Sequence, residues 1–183
     1  MSAPAWTIRP VREEDVAAVA RLHVAVWQAA YRGLLPDGFL DAQSVERRER
    51  MWQGAVGRDD PPVLVAEMPG RIVGFIWCGP VRDADAQGTT TGEVYAIYVA
   101  PDAWGSGVSA ALMTEGLAGL AALGYAEVLL WVLRGNARAI RFYTRQGFTP
   151  DGAAKIEQHG DVTFDEVRYR RSLAGASLRT LLV

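Results

Sequence analysis

An α/β (α+β) fold, built on a mixed and mostly antiparallel central sheet, is predicted by three features of the chain. Two short apolar runs, Val63 to Met68 and Arg71 to Gly79, are joined by Pro69 and Gly70 as a tight hairpin. A third run, Gly92 to Val99, leads through a glycine-bearing turn into a helical pattern and on to EVLLWVL, Glu127 to Leu133. Strand, helix, strand in that order requires a right-handed crossover and a parallel pair, so one sheet holds both kinds of neighbour.

Composition sets the outer bounds. With 183 residues, 50% of them hydrophobic, the chain is long enough for one real core and short for two. A single domain over 1–183 is expected, with its core at about 5–172 and an apolar tail at 173–183 that packs on the body or on a second subunit. A net charge of −2 with both signs interspersed offers no basic footprint for nucleic acid and no polybasic patch for a membrane. Cys78 is the one cysteine, which rules out an internal disulfide, and its apolar strand context reads as core. The opening MSAPAWTIRP lacks a basic and then apolar leader, and no run of about 18 apolar residues occurs, so a cytoplasmic protein is expected.

Taken in order, Trp6 to Arg9 is a short strand that Pro10 closes. Arg12 to about Ala30 has helical period, with Glu13, Glu14 and Asp15 in its first turn and Val16, Val19, Ala20, His23, Val26, Trp27 and Ala30 along one stripe. Arg32 and Gly33 end it. GLLPDGFLDAQ reads as a turn-rich connection, and Ser44 caps a second helix, VERRERMWQGAV, whose Arg47, Arg48 and Arg50 read as a solvated face. After the hairpin, the polar loop Pro80 to Thr91 has no apolar period and is expected to be mobile. In the next strand Glu93, Tyr95, Ile97 and Val99 alternate onto one face, and Pro101 ends it. Helical spacing begins after Gly107 and stops at Gly124; EVLLWVL, apolar throughout, reads as a strand buried on both faces. Asn136 opens a last helix, ARAIRFYTRQ, which Gly147 stops. Thr149 to Gly160 reads as a polar turn and Asp161 to Arg170 as the final strand.

The turn DAWGSG lies at a helix N-terminus, where backbone N–H groups lack intrahelical partners and the macrodipole is positive. Gly105 and Gly107 clear away side chains, so a pyrophosphate would suit it; a glycine-rich connection without a ligand is the alternative that the turn alone leaves open. GSGVSA also matches the dinucleotide fingerprint G-x-G-x-x-A, but Pro-Asp-Ala-Trp intervenes before the glycines and the following strand ends Val132, Leu133, Arg134 without an acid. His23 and His159 have no metal-ligand spacing around them, and no serine or cysteine occupies a nucleophile elbow.

VAPDAWGSGVSAALM, followed at this separation by LWVLRGNARAIRFYTRQGF, resembles the cofactor motif and the helix behind it in the GNAT superfamily of acetyl-coenzyme A dependent N-acetyltransferases. The opening IRPVREEDVAAVARLHVAVWQAAYRGLLP and the closing GF…DEVRYRRSL extend the resemblance over nearly the whole chain, and the second motif is the more specific. The first departs from the family pattern: Trp104 stands where Gln or Arg is usual, and Ser109 where Gly or Ala is usual. The resemblance implies a sheet of about seven strands flanked by about four helices, with a V-shaped splay between the two parallel central strands. It implies acetyl-coenzyme A as co-substrate and no metal. Ile97, Tyr98 and Val99 would border the pantetheine arm, and Trp104, Gly105, Ser106, Gly107, Val108 and Ser109 would hold the pyrophosphate. Asn136, with Ala139 and Tyr143 at i+3 and i+7 on one helix face, would reach the arm from the opposite wall.

The implied chemistry is direct attack of a primary amine on the thioester in a ternary complex, without an acyl-enzyme. An alkyl amine of pKa ~10.4 is mostly protonated at neutral pH, so a base must take a proton; Glu93 is the candidate, an ordinary exposed strand-end carboxylate being the alternative. Tyr143 resembles the family's proton donor to the leaving thiolate, against a purely packing role, and N–H groups near Val99 would stabilise the oxyanion. Trp27 and Tyr31, at i and i+4, and Tyr95 are candidates for an aromatic wall around the acceptor, packing roles being the alternative for each. The rival function is a non-catalytic acyl-coenzyme A binding or sensor module, which Trp104 and Ser109 leave open. The acceptor, a small-molecule or protein amine, is not legible, and a homodimer is expected on the apolar tail and on the general preference for two-fold pairs.

Overall fold

The structure, a computed structural model, describes residues 6–57, 61–87 and 90–173. The tail expected to be apolar lies outside them except for Leu173, which is buried. Seven strands, β1 (Thr7–Pro10), β2 (Leu64–Met68), β3 (Arg71–Pro80), β4 (Thr91–Val99), β5 (Glu127–Leu133), β6 (Thr149–His159) and β7 (Val162–Ser172), form one sheet in the order β1-β2-β3-β4-β5-β7-β6. The helices are α1 (Val16–Tyr31), α2 (Asp37–Asp41), α3 (Val45–Gln53), α4 (Val108–Ala122) and α5 (Ala137–Arg145). The predicted mixed sheet is present: β1–β2, β2–β3, β5–β7 and β6–β7 pair antiparallel, while β4 and β5 run parallel. That parallel pairing covers Thr91↔Glu127 to Glu93↔Leu129 and goes no further among the described residues, although β5 pairs with β7 along its whole length.

The chain groups into two compact units, Met1–Trp77 with Ala96–Thr114, and Cys78–Tyr95 with Glu115–Val183. In the first, α1 buries Val16, Val19, Ala20, His23 and Val26 of the expected stripe and Val24 beside it, while Trp27 and Ala30 are half-buried. Its core joins Val16, Val19 and Ala20 to Trp52, Ala55, Val63, Val65 and Phe75. The acids before α1 do more than complement its dipole. Asp15 is buried, accepts from the Arg12 amide at 2.8 Å and takes two N–H groups of Arg9 at 2.6 and 2.9 Å, and the hydrogen bonds from Arg9 hold its carboxyl below the usual range. The connection read as turns contains α2, whose five residues are too few to display a period. Ser44 caps α3 as expected, its Oγ accepting from the Arg47 amide at 3.3 Å. Gly74 lets α4 close on β3: a Cβ there would lie 2.9 Å from Val99 Cγ2 and 3.0 Å from Leu112 Cδ1.

In the second unit, Val128, Leu129, Leu130 and Val132 are buried, as the apolar run predicts. The segment read as a polar turn is the strand β6. It ends the sheet order, so neither face needs an apolar alternation, and Pro150 opens a register shift that runs to Ala154. The loop expected to be mobile is tied down over 81–87. Its Asp83 and Asp85 pair with Arg168 at 2.9 and 2.8 Å, its Arg82 pairs with Glu93, and Ala86 is buried. Asp151 completes the set around Arg168 at 2.7 Å and is shared with Arg170, which also reaches Glu127 at 2.6 Å. Among the described residues no helix is long and apolar enough to cross a membrane, and no group of three or more His, Cys, Asp or Glu is placed to hold a metal ion.

Candidate active site

In the first unit, β4 ends at Val99, one 3-10 turn (Pro101–Ala103) follows, and residues 104–107 run exposed into α4. Gly105 and Gly107 have φ of 77° and 92°, a region L side chains rarely occupy, and nothing lies within 4 Å of where their Cβ atoms would be. Val108 is fully buried and anchors the start of α4. The Ser106 hydroxyl donates to Ala103 O at 2.6 Å, and the Val108 amide reaches the Ser106 Oγ only at 3.4 Å. Among the described residues the amides of Gly105, Gly107, Ser109 and Ala110 find no protein acceptor. This is an open cluster of donors at the positive end of a 15-residue helix, the arrangement that receives phosphate oxygens. Trp104 turns back on the strand, its indole Nε1 donating to Val99 O at 2.8 Å. Ile97 and Tyr98 are half-buried, and Val99 is buried.

The same unit gathers Trp27 and Tyr31, which sequence spacing places on one face, and adds Tyr98 to them. The Trp27 and Tyr31 rings meet edge to face at 5.2 Å, and the hydroxyls of Tyr31 and Tyr98 are 3.0 Å apart. His23 lies beneath, with Phe75 and Tyr98 ring centroids each at 5.2 Å and Trp52 at 6.0 Å. Its Nδ1 is buried without a hydrogen-bond partner, and burial pushes the imidazole down to about 3, so it is neutral at physiological pH. Arg48, read from sequence as part of a solvated face, is half-buried instead. Its guanidinium lies 4.8 Å from the Trp27 ring centroid, and burial lowers its pKa. The signal was in the helix period: Arg48 stands four residues before Trp52, the buried side chain of α3, and so shares its face.

The second unit carries Glu93, Tyr95, Asn136, Ala139 and Tyr143. Glu93 is 1% exposed, which removes the exposed strand-end alternative. Arg82 engages both carboxylate oxygens, donating from its backbone amide at 2.9 Å, from Nε at 3.2 Å to each oxygen, and from Nη2. Tyr95 donates its hydroxyl to Pro80 O, lies beneath the Arg82 guanidinium at 4.3 Å, and has its phenol pushed up to about 12 chiefly by burial. Tyr95 thus lies in the unit of Glu93, whereas Trp27 and Tyr31 lie in the other. Asn136 caps α5, its Oδ1 accepting from the Ala139 amide at 3.1 Å; its amide nitrogen takes no part in that cap. Tyr143 is half-buried between the rings of Phe142 and Phe148, at 5.4 and 6.1 Å.

Comparison with known proteins places this geometry. The profile of the acetyltransferase (GNAT) family matches residues 13–148. Over 150 residues the chain is 30% identical to YuaI, an uncharacterized N-acetyltransferase of Bacillus subtilis (strain 168), covering 81% of this chain and 82% of that protein. Over 183 residues it is 32% identical to the mycothiol acetyltransferase of Parafrankia sp. (strain EAN1pec), covering 91% of this chain and 53% of that one, so it spans about half the length of such relatives. Among solved structures, the ribosomal-protein-alanine N-acetyltransferase from Brucella melitensis superposes with a TM-score of 0.71 at 25% identity, over 91% of this chain and 99% of that one. The PaiA N-acetyltransferase from Thermoplasma acidophilum, solved in complex with coenzyme A, shares the fold with a TM-score of 0.69 at 19% identity, over 94% and 99% of the two chains. On this match and this shared sheet, the chain belongs to the acetyltransferase (GNAT) family, a family of acyltransferase enzymes.

Proposed function

We propose that the protein, acting as a single acetyltransferase domain, transfers the acetyl group of acetyl-coenzyme A directly to a primary amine. The observation that carries this reading is the exposed turn before α4, where the amides of Gly105, Gly107, Ser109 and Ala110 lack protein acceptors. Residues Trp104 to Ser109 receive the pyrophosphate, Ile97 to Val99 border the pantetheine arm by their backbone, and Asn136 and Ala139 contribute from α5. Trp27 and Tyr31 form the acceptor wall, with Tyr95 as its further candidate.

In the proposed step the neutral amine attacks the thioester carbon, the C–N bond forms and the C–S bond breaks. The amine proton goes to Glu93, directly or through water, and the Tyr143 hydroxyl protonates the leaving thiolate. Arg82 donates to both Glu93 oxygens and so occupies them, and proton removal needs Arg82 to shift or a water to relay. That hold favours the second reading, a protein that binds acyl-coenzyme A without turnover.

Calorimetric titration with acetyl-coenzyme A, followed by thiol release against a panel of amines, tests both. Binding with amine-dependent release supports the transferase, binding without release from any amine supports the sensor, and no binding overturns both. Tyr143→Phe separates them further: the enzyme reading expects turnover to drop by about 100-fold with acetyl-coenzyme A affinity retained.

A further inference from the structure

We infer that the acceptor amine is a small molecule that also carries a carboxylate, and that Arg48, lying over Trp27, is the group that binds it. This rests on the reading that Trp27 and Tyr31 line the acceptor side.

Of the other half-buried or buried arginines, Arg9 has Asp15 and Glu67, Arg168 has three aspartates and Arg170 has Asp151 and Glu127, while Arg171 has no acid but donates to the Gln146 carbonyl at 2.7 Å. Arg48 forms no ion pair among the described residues. Its Nη2 donates to Gln43 Oε1 at 3.2 Å and its Nη1 lies 3.8 Å from the Met51 sulfur, a weak acceptor. A guanidinium has five N–H donors, so among the described residues Nε and one N–H of each terminal nitrogen are left without a protein acceptor. A desolvated cation in that state is costly, and the Trp27 face offsets only part of the cost. Tyr98, Arg47 and Tyr31 are the titratable groups that act on Arg48, and none is a carboxylate; His23, whose pKa Arg48 helps lower, is neutral and supplies no compensating charge. A planar carboxylate matches the guanidinium fork and neutralises one charge with one, whereas a phosphate dianion would leave an excess negative charge among Trp27, Tyr31 and Tyr98.

Arg48 also selects against the opposite class. A fixed cation repels polyamines and other acceptors of high positive charge, and near the reacting nitrogen it favours the neutral amine over the ammonium. An α-amino acid presents an amine and a single carboxylate in one small molecule, and this is the acceptor chemistry the cluster fits.

The test measures thiol release with L-amino acids and with their matched α-amides, and with dipeptides as a separate arm to tell a free amino acid from a peptide terminus. The wild type is expected to favour at least one acid over its amide by about 10- to 100-fold in kcat/KM, the effect of a charge-assisted hydrogen bond. In Arg48→Met that ratio falls to about one through KM, and Arg48→Lys restores part of it; a merely structural residue would not move the ratio. Titration with acetyl-coenzyme A reports folding of each variant, and Arg48→Gln substitutes should the Met variant not fold. A wild-type ratio near one, or a ratio unchanged in the variants, overturns the inference. If another amine of the panel releases thiol and no amino acid or amide does, the inference fails while the transferase reading stands; if no amine of the panel releases thiol, the transferase reading fails on its own. Calorimetry with the N-acetyl amino acids then decides the inference: binding lost in the variants sustains it, and no binding to the wild type sinks it.

Discussion

Arg48 in the first unit and Arg168 in the second are the same side chain in opposite circumstances. Both stand over tryptophans, Arg48 at 4.8 Å from Trp27 and Arg168 at 5.5 Å from Trp131. Arg168 is paired with Asp83, Asp85 and Asp151 and its pKa is raised, while Arg48 has no carboxylate among the described residues and its pKa is lowered by burial. A cation whose acids come from its own chain holds that chain together. One left short of acids is held in place by apolar neighbours at a cost, and that cost has a reason only if another molecule supplies the charge.

The widest test of the contrast is whether the first unit is held by rings. Trp52 is fully buried, against Phe75 at 4.8 Å and Trp77 at 5.5 Å, so Trp52→Ala is expected to lose about 3–5 kcal/mol in urea unfolding. A loss below about 1 kcal/mol would mean that this core yields easily and the contrast is overdrawn. Next comes the second unit's ionic knot. Arg168→Met leaves Asp83 and Asp85 without their cation, Asp151 keeping Arg170, and is expected to cost about 3 kcal/mol, less than a wholly buried network because Asp85 is exposed.

A pH titration sharpens the first unit's side of the comparison. The unfolded chain protonates His23 below its ordinary pKa of 6.5, but the folded protein does so only near 3, so this group weakens the fold as pH falls through that window and has no effect above it. The expected slope is up to ~1.4 kcal/mol per pH unit, absent from His23→Phe. The smallest expected effect belongs to Arg48. Because its desolvation offsets its stacking, Arg48→Met should change unfolding free energy by less than ~1 kcal/mol in either direction. A large destabilisation would make Arg48 a structural residue like Arg168.

The elements legible in the sequence are those whose signal is local. The turn into α4 declares itself because positive φ demands glycine at 105 and 107, and β5 because a strand covered on both faces is apolar throughout. Strand β6 was hidden because an edge strand obeys no such rule, and α2 because it is barely longer than one turn. Among the site residues, Glu93 could be singled out by its place at the start of β4, but its burial could not. Arg82 comes from a loop whose polarity looked like mobility, and the loop's aspartates are neutralised by Arg168, more than 80 positions away. No window of local sequence contains both halves of such a pair. Arg48 is the opposite lesson, since the face it shares with Trp52 was readable, and charge alone assigned it to solvent.

Cys78 has one more consequence, for the bench. It is the only thiol in the chain, it is 4% exposed within β3, and burial pushes it up to about 12. At neutral pH almost none of it is thiolate, the species that reacts with disulfide and maleimide reagents. A colorimetric reagent for sulfhydryls therefore sees the folded protein as silent, and every equivalent of colour counts coenzyme A released. The same blank becomes an alarm: colour appearing without acetyl-coenzyme A would report exposure of Cys78 by unfolding.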